Sequence, residues 1–270
     1  MPFDVPDLES LLRLEPIGDD QFTGYSPAYP WGGLYGGQVA AQSLRAASLT
    51  LDDDDRPVHS LHGYFIRQGD VDQPVRFEVD RIRDGRSFAT RRVVAHQAGG
   101  AIFNLSASFQ TPEHEASTSS ILPPSDVPPP DDLEPSGWGE VLDRRIVRFT
   151  NDGNSIAWLR VRPPRGGGPV LAACALAYTS DDLPTSAVGS SHPVKVANEQ
   201  EWDRTFFTVS LDHSIWFHRQ FAADAWLLHH HQSHGVHGGR GLSIGTVFDE
   251  NGHHVATITQ EVLLRRRRRS

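Results

Sequence analysis

The chain has 270 residues, 38% of them apolar, which is enough for one large domain or two of ordinary size. A formal net charge of −9 argues against a nucleic-acid-binding protein, because a phosphate backbone calls for a basic face. A single cysteine, Cys174, excludes an internal disulfide and a multi-cysteine zinc site, and its apolar surroundings predict a buried side chain.

We expect neither a secretory signal at the start of the chain nor a membrane-spanning segment within it. MPFDVPDLESLLRLEP contains acids and early prolines where a secretory signal has a basic stretch followed by an apolar one. The apolar run 170–178 is much shorter than the roughly twenty residues that cross a bilayer. We therefore expect a cytoplasmic protein without a membrane span.

The first half of the chain predicts a helix followed by a sheet. GGLYGGQVAAQSLRAASLT places a stripe of small and apolar residues from Val39 to Ala47 on one helical face. The segments VHSLHGYFIRQGD and VRFEVDRIRDGRSFATRRVVAHQAGGAIFNLSASFQTPE then alternate apolar with polar residues, which predicts an antiparallel sheet with one covered face. Gly99-Gly100 lies between two strand-like runs, as a tight hairpin turn requires.

A stretch rich in proline and small polar residues, 116–137, follows the first sheet. This composition is typical of a linker with little packed core. We therefore predict an N-terminal domain over 1–115 and a C-terminal domain over 138–270.

The second half repeats the order of the first. GPVLAACALAYTSDD is apolar nearly all round, which predicts a buried helix, and Pro169 suits its first turn. The strand-like segments TVSLDHSIWFHRQF and WLLHHHQSHGVHGGRGLSIGTVFDENGHHVATITQEVLLR follow, with Asn251-Gly252 at a second hairpin position. Such self-similarity at a distance of one domain indicates an internal repeat. A helix wrapped by a curved antiparallel sheet, twice in tandem, would be a double hotdog of the α+β class, although other α+β folds also pack helices on sheets.

Eight segments resemble the acyl-CoA thioesterase II (TesB-like) family, whose enzymes are double hotdogs. In order along the chain they are GGLYGGQVAAQSL, VHSLHGYFIRQGD, RDGRSFATRRVVAHQ, ASFQTPE, LAYTSDDLP, SLDHSIWFHR, GGRGLSIG and TQE. The resemblance covers most of the chain outside the linker and the arginine tail. It implies hydrolysis of fatty acyl-CoA to free fatty acid and coenzyme A. We also expect a homo-oligomer with no cofactor.

The same resemblance implies three catalytic residues that position a nucleophilic water. Carried over by position, they are Asp181 in YTSD, Ser210 in SLDH and Gln260 in TQE. A carboxylate can accept a water proton, whereas a hydroxyl and an amide can hold that water and supply donors to an oxyanion. From the residues alone, Asp181 beside Asp182 also fits a solvated acid at a helix end, and the other two fit ordinary strand positions.

Six further residues are predicted to contact the substrate or to order the site. Gly36-Gly37 either lets a thioester carbonyl approach N–H groups at a helix start or forms a tight turn into a closely packed helix. His62 and Tyr64 are expected as walls of a pocket between the repeats, and Asp212 as an acid that orders the site or the contact between domains. The complete set is Gly36, Gly37, His62, Tyr64, Asp212 and Arg240.

The fourteen histidines suggest two other kinds of site. Adjacent residues of a strand point to opposite faces, so the triplet 229–231 cannot offer three ligands to one ion, and no HExxH or Cys/His spacing is present. A serine nucleophile would need a histidine base, and His213 is close to Ser210 in sequence. We expect neither. The sequence departs from the family here, because a tyrosine and a Ser-Pro-like step usually stand at His229 and Ser233-His234, which bears on acyl-chain preference.

The basic tail 265–269 is predicted to be a solvated, frayed terminus. Contact with the phosphates of coenzyme A or with an acidic partner is the alternative.

Two other functions fit the same fold. An enoyl-CoA hydratase-like hotdog would use an Asp/His pair on a carbon–carbon double bond. An acyl-CoA sensor would bind the thioester without cleaving it, since a fold alone does not determine function.

Overall fold

The computed structural model describes residues 5, 7–52, 56–162, 168–196 and 199–267, with the side chains of 199 and 200 left aside. Its described part is built on one antiparallel sheet with helices packed against it. The first half contains α1 (Leu8–Leu11), β1 (Glu15–Gly18), β2 (Gln21–Gly24), α2 (Gly36–Ser48), β3 (Val58–Phe65), β4 (Val75–Asp84), β5 (Phe88–Gln97) and β6 (Gly100–Gln110).

The second half follows a one-turn 3-10 helix at Pro130–Asp132. It contains β7 (Leu142–Phe149), β8 (Asn154–Val161), α3 (Pro169–Thr179), α4 (Pro184–Ser191), α5 (Glu199–Thr205), β9 (Phe206–Ser210), β10 (Asp212–Phe217), β11 (Leu227–His237), β12 (Arg240–Phe248) and β13 (His254–Arg266). Both halves thus place two strands before a central helix and the remaining strands after it.

The strand order repeats between the halves in mirror sequence. It runs β1-β2-β4-β5-β6-β3 in the first half and continues β10-β13-β12-β11-β8-β7 in the second. The two halves meet where β3 pairs with β10, with His62 opposite Ser214, so one sheet spans the whole chain. Each half therefore covers an edge strand that the other would expose.

The two longest helices, α2 and α3, pack against one another and against the sheet. Small residues permit this close approach. A methyl group placed on Gly37 would lie 2.2 Å from the carbonyl oxygen of Tyr178, a backbone atom of the neighbouring helix end. Cys174 lies in the same core, and burial raises the pKa of its thiol to about 12.

The predicted helices and hairpin turns are present, with shorter helices than the sequence indicated. The turn between β5 and β6 is Ala98-Gly99, one residue before the predicted Gly99-Gly100, because Gly100 already pairs with Gln97 as the first residue of β6. Gly252 has a φ of +78° in the turn before β13. The second helix ends at Thr179, so Asp181 lies just beyond it. The pairs β1-β2 and β7-β8, which were not predicted, extend the two ends of the sheet.

The linker region has more contacts than its composition indicated. Most of its residues are exposed, but Val127 and Leu133 pack on a cluster around Trp158 and Phe248. The indole N–H of Trp158 donates to the carbonyl oxygen of Pro128. The later part of the linker therefore covers one face of the second half.

Candidate active site

Three side chains from separate elements meet where the sheet passes the end of α3. Asp181 follows that helix, Ser210 ends β9, and Gln260 lies in β13. β9 pairs with β13, with Ser210 opposite Val262, which brings the hydroxyl near the amide. The polar group predicted from the sequence is therefore brought together by the fold.

The carboxylate of Asp181 accepts hydrogen bonds on both oxygens. Oδ1 accepts from Ser210 Oγ at 3.1 Å and from Gln260 Nε2 at 2.8 Å. Gln260 Nε2 also donates to Ser210 Oγ at 2.7 Å, so both amide hydrogens are used. Oδ2 accepts from the backbone N–H of Gly37 at 3.0 Å, a donor supplied by the first half of the chain.

Burial dominates the electrostatics of this carboxylate. It raises the pKa of Asp181 to about 6, although the hydrogen bonds from Gln260, Ser210 and Gly37 act in the opposite direction. A carboxylate with a pKa near neutrality is both available and basic enough to accept a proton at physiological pH. The site can therefore perform general-base chemistry.

The neighbouring acid, Asp182, has a different environment. It forms an ion pair with Arg144 at 3.1 Å and accepts from the indole N–H of Trp138 at 2.8 Å. The charge of Arg144 balances that of Asp182, and the two partners occupy its carboxylate oxygens, so Asp182 is not available as a base. The sequence alone offered no reason for this division between adjacent acids.

His213 lies directly behind Gln260 and is fully buried. Its Nδ1 is 2.5 Å from Gln260 Oε1 and its Nε2 is 2.7 Å from Ser180 Oγ. Burial lowers the pKa of His213 to about 4, so the ring is neutral at physiological pH. The ring contacts Ser180 rather than Ser210, so the geometry of a serine nucleophile with a histidine base is not formed.

A cavity of about 1100 Å³ opens beside Asp181 and Ser210, and both halves line it. The first half contributes Gly36 at the start of α2 and aromatic residues that include Phe65. The second half contributes residues of α4, α5 and β9. This volume is slightly larger than the roughly 300–1,000 Å³ that is typical of small-molecule pockets.

Three cationic side chains line the same cavity, namely Arg67, Lys195 and Arg267. They donate hydrogen bonds to backbone carbonyls: Ala101 for Arg67, Asn151 and Ser190 for Lys195, and Asp203 and Phe206 for Arg267. Arg267 also lies over the ring of Phe207. Within the described residues, none of the three forms an ion pair with a carboxylate. Asp181 and Asp203 also line the cavity, so the three cations leave only a small excess of positive charge there, in a protein whose overall net charge is −9.

The predicted substrate-contact residues are distributed differently from expectation. Gly36 lines the cavity, whereas the N–H of Gly37 is engaged by Asp181. His62 and Tyr64 lie outside the cavity lining on exposed positions of β3, because strand alternation directs Phe65 inward instead.

Two further predicted contacts also lie away from the cavity. Asp212 accepts from the backbone N–H of Glu261 at 2.7 Å and stands opposite Tyr64 where the two halves meet. Arg240 forms an exposed ion pair with Glu261 at 2.9 Å. Neither residue lines the cavity, and both are held by neighbouring strands.

The histidine-rich strand β11 divides its side chains between two faces. His229 and His231 are fully buried with stacked rings 6.0 Å apart, and His230 faces the other way. Burial lowers the pKa of His229 to about 3, and it also lowers the pKa of His231. Among the residues that the structure describes, no group of three or more His, Cys, Asp or Glu side chains is arranged to hold a metal ion.

The tail differs from the frayed terminus that the sequence predicted. Arg265 and Arg266 belong to β13, where they pair with Phe207 and Phe206. Arg267 is held by two backbone carbonyls and lines the cavity. Pairing with β9 orders these arginines, and 268–270 lie outside the described residues.

Comparison with known proteins gives matches over nearly the whole chain. The family described as acyl-CoA thioesterase N-terminal domain matches residues 25–110, and the one described as acyl-CoA thioesterase C-terminal domain matches residues 122–264. Acyl-coenzyme A thioesterase 8 of Mus musculus is 33% identical over 290 residues, which cover 95% of this chain and 88% of the mouse protein.

Solved structures agree with these matches. An acyl-CoA thioesterase II, TesB2, from Mycobacterium marinum is 39% identical with a TM-score of 0.80, covering 96% of this chain and 97% of that chain. A hotdog-fold protein of unknown function from Alicyclobacillus acidocaldarius has a TM-score of 0.76 at 23% identity, covering 95% of this chain and 97% of that chain. The large antiparallel sheet with few helices is thus a hotdog fold. In the described part of the chain, no helix is long and apolar enough to cross a membrane.

Proposed function

Since this chain belongs to the acyl-CoA thioesterase II (TesB-like) family and is an acyl-CoA thioesterase, we propose that Asp181 is the general base that activates water for hydrolysis. The observation that carries the proposal is the half-buried Asp181 carboxylate, held by Ser210, Gln260 and Gly37 beside the cavity, with a pKa raised to about 6. General-base catalysis is most effective when the pKa of the base lies near the working pH.

The reaction proceeds by addition and elimination at the thioester carbonyl. Asp181 takes one proton from water as the water oxygen bonds to the carbonyl carbon, and the carbonyl oxygen becomes an oxyanion. Collapse of this intermediate breaks the carbon–sulfur bond, and the proton held by Asp181 passes to the leaving sulfur. Fatty acid and coenzyme A thiol are the products, and no covalent serine intermediate is formed.

The other polar groups orient the reactants. Ser210 and Gln260 both donate to one oxygen of the Asp181 carboxylate and so fix its orientation. On this proposal they lie beside the nucleophilic water and restrict the directions from which it approaches the thioester. The start of α2 at Gly36 adjoins the same cavity, and the positive end of a helix dipole favours an oxyanion there. These roles follow from donor chemistry and location.

The substrate lies between two tandem hotdogs on this proposal. The mirrored strand order and the contact between α2 and α3 support a double hotdog in which each half supplies part of one site. The bond from Gly37 to Asp181 joins the first half to the proposed base. The boundaries near 115 and 138, the homo-oligomer and the cytoplasmic location stay predictions.

The coenzyme extends toward the cationic rim formed by Arg67, Lys195 and Arg267. Coenzyme A carries phosphate groups, and unpaired cations attract such anions while costing no ion pair within the protein. The apolar side of the cavity, including Phe65 and Phe206, suits the acyl chain.

The decisive experiment compares thiol release with hydration of a 2-enoyl-CoA. Wild-type protein is expected to release thiol, and Asp181→Asn to lower turnover by about 10²- to 10⁴-fold with acyl-CoA binding retained. Asp212→Asn is the matched acid control and is expected to retain most activity.

Three outcomes would contradict the mechanism. Near-wild-type turnover of Asp181→Asn would remove Asp181 as the base, and an inactive Asp212→Asn beside it would transfer that role. Hydration without thiol release would favour the hydratase, whereas tight binding without turnover would favour the sensor.

A further inference from the structure

His213 is fully buried behind the candidate site, and no step of the proposed reaction uses it. Its imidazole stands between Ser180 Oγ and Gln260 Oε1, within hydrogen-bond distance of both. We propose that His213 is a positioning residue that locks the Gln260 amide with its NH₂ group toward Asp181, including while Asp181 carries the proton taken from water. This inference rests on the function proposed for Asp181.

The direction of the hydrogen bonds follows from counting donors. Gln260 Nε2 donates to Asp181 Oδ1 and to Ser210 Oγ, which leaves Gln260 Oε1 as an acceptor. His213 must therefore donate from Nδ1. A neutral imidazole has one N–H, so its Nε2 accepts, and the hydroxyl of Ser180 is the donor.

Ser180 thereby stabilises the tautomer of His213 that Gln260 Oε1 requires. Its single hydroxyl hydrogen also has the carbonyl oxygen of Ala177 within 3.0 Å, and the bond to His213 uses that hydrogen when the lock is formed. The result is a directed chain from Ser180 through His213 and Gln260 to Asp181. Reversing the amide would place its NH₂ group against the His213 N–H, leaving two buried donors facing one another, which is unfavourable.

The lock acts at one point of the reaction. While Asp181 is ionised, its negative charge itself attracts the amide NH₂ group. Once Asp181 is protonated, it gains an O–H donor, and a reversed Gln260 would accept that hydrogen through Oε1. Such a bond would stabilise the protonated acid and delay proton transfer to the leaving sulfur. His213 prevents this because its N–H requires Oε1 on its own side.

Other ionisable groups lie around the hydrogen-bonded residues Ser180, His213, Gln260 and Asp181. Within the described part of the structure, they do not replace the hydrogen bond from His213 to Gln260. Asp182 raises the pKa of Asp181 and is itself paired with Arg144, and Tyr35 lies close enough to interact with Asp181 by charge. On the other side, Asp212 and His231 face His213. Among the described residues, the recorded hydrogen-bond donor to Gln260 Oε1 is His213.

The test uses two amide replacements of His213 that differ in where they place a donor. The amide of His213→Asn lies at the level of Nδ1 and can still donate to Gln260, whereas the longer side chain of His213→Gln places its amide nearer the level of Nε2. We expect His213→Gln to lower kcat for acyl-CoA hydrolysis by about 10- to 100-fold with KM little changed. The acid limb of its pH–kcat profile should move about one pH unit upward, because a reversed Gln260 raises the pKa of Asp181.

His213→Asn is expected to recover most of kcat and the wild-type acid limb. Unfolding temperatures of both variants are measured alongside, so that a loss of folding is separated from a loss of positioning. A pH profile and kcat of His213→Gln within twofold of wild type would overturn the inference. Equal impairment of the two variants at equal thermal stability would also overturn it.

Ser180→Ala keeps the test decisive should His213→Gln be too unstable to assay. It removes the hydroxyl that stabilises the required tautomer of His213, so an upward shift of the acid limb of the pH–kcat profile supports the positioning role and an unchanged profile refutes it. Asp181→Asn is assayed in the same series. Activity in Asp181→Asn would contradict the proposed function, whereas an inactive Asp181→Asn beside a wild-type-like His213→Gln would contradict the positioning role alone.

Discussion

The burial of Asp181 predicts a measurable stability difference between wild type and Asp181→Asn. The pKa of Asp181 is raised from 3.8 to about 6 in the folded protein, a difference of about two pH units. At 1.36 kcal/mol per unit, this corresponds to about 3 kcal/mol of unfolding free energy. The folded state binds the proton more tightly than the unfolded chain, so this stability is present below pH 4 and lost as pH rises to about 6.

The asparagine of Asp181→Asn has no group that titrates in this pH range, and it lowers the free energy of unfolding by an amount that does not depend on pH. Its oxygen can accept from Ser210 and Gln260, but its NH₂ group then faces the N–H of Gly37, a conflict that costs about 1–3 kcal/mol. Asp181→Asn should therefore be less stable than wild type at pH 4 and should recover about 3 kcal/mol relative to it by pH 7.

Urea unfolding of both proteins between pH 4 and pH 7.5 measures this difference directly. The kcat of wild type over the same range should fall below pH about 6 as Asp181 becomes protonated. A free-energy difference between the two proteins that stays constant with pH would refute the raised pKa. An acid limb near pH 4 would refute it independently.

Three other perturbations test the packing and the cavity. Gly37→Ala places a methyl group against the backbone oxygen of Tyr178, so we expect a lower unfolding temperature and lost thiol release, whereas Gly33→Ala meets only the flexible end of a glutamine and should be tolerated. Arg267→Ala should raise KM about two- to fivefold for acyl-CoA at low salt and leave an acyl-pantetheine, which lacks the nucleotide phosphates, unaffected; equal effects on both would exclude a phosphate contact. Residues 138–266 expressed alone should lack thioesterase activity, because they lack the Gly37 donor and the β3 partner of β10, and near-native turnover of a soluble monomer would contradict a site shared between halves.

Much of the candidate site could be predicted because its residues lie in short sequence segments that resemble the family. The segments around Asp181, Ser210 and Gln260 carried the family resemblance, and the matches to acyl-CoA thioesterases confirm that family. The structure brings these three side chains within hydrogen-bond distance. Their catalytic roles stay proposals.

Errors arose where a residue's direction or long-range partner mattered. His62 and Tyr64 were chosen with Gly63 as one stretch of wall, yet a strand alternates its side chains, and the two lie on exposed positions. Arg240 was chosen from a segment that resembles the family, and the tail was predicted to be frayed because it is a terminus. Pairing with Glu261 and with β9 determines where these residues lie.

The sequence by itself determined the features that depend on near neighbours: the apolar stripe of α2, the apolar α3, the glycines at the hairpin turns and the two-part strand pattern. Tertiary structure alone decided that Asp181 is half-buried beside the cavity and that Asp182 is paired with Arg144. It also decided that Gly37 donates to Asp181 across a separation of 144 residues. Backbone preferences and side-chain periodicity act over a few residues and are visible in the sequence. Burial and hydrogen-bond partners, which set the pKa of the carboxylate, exist only once distant segments have packed together.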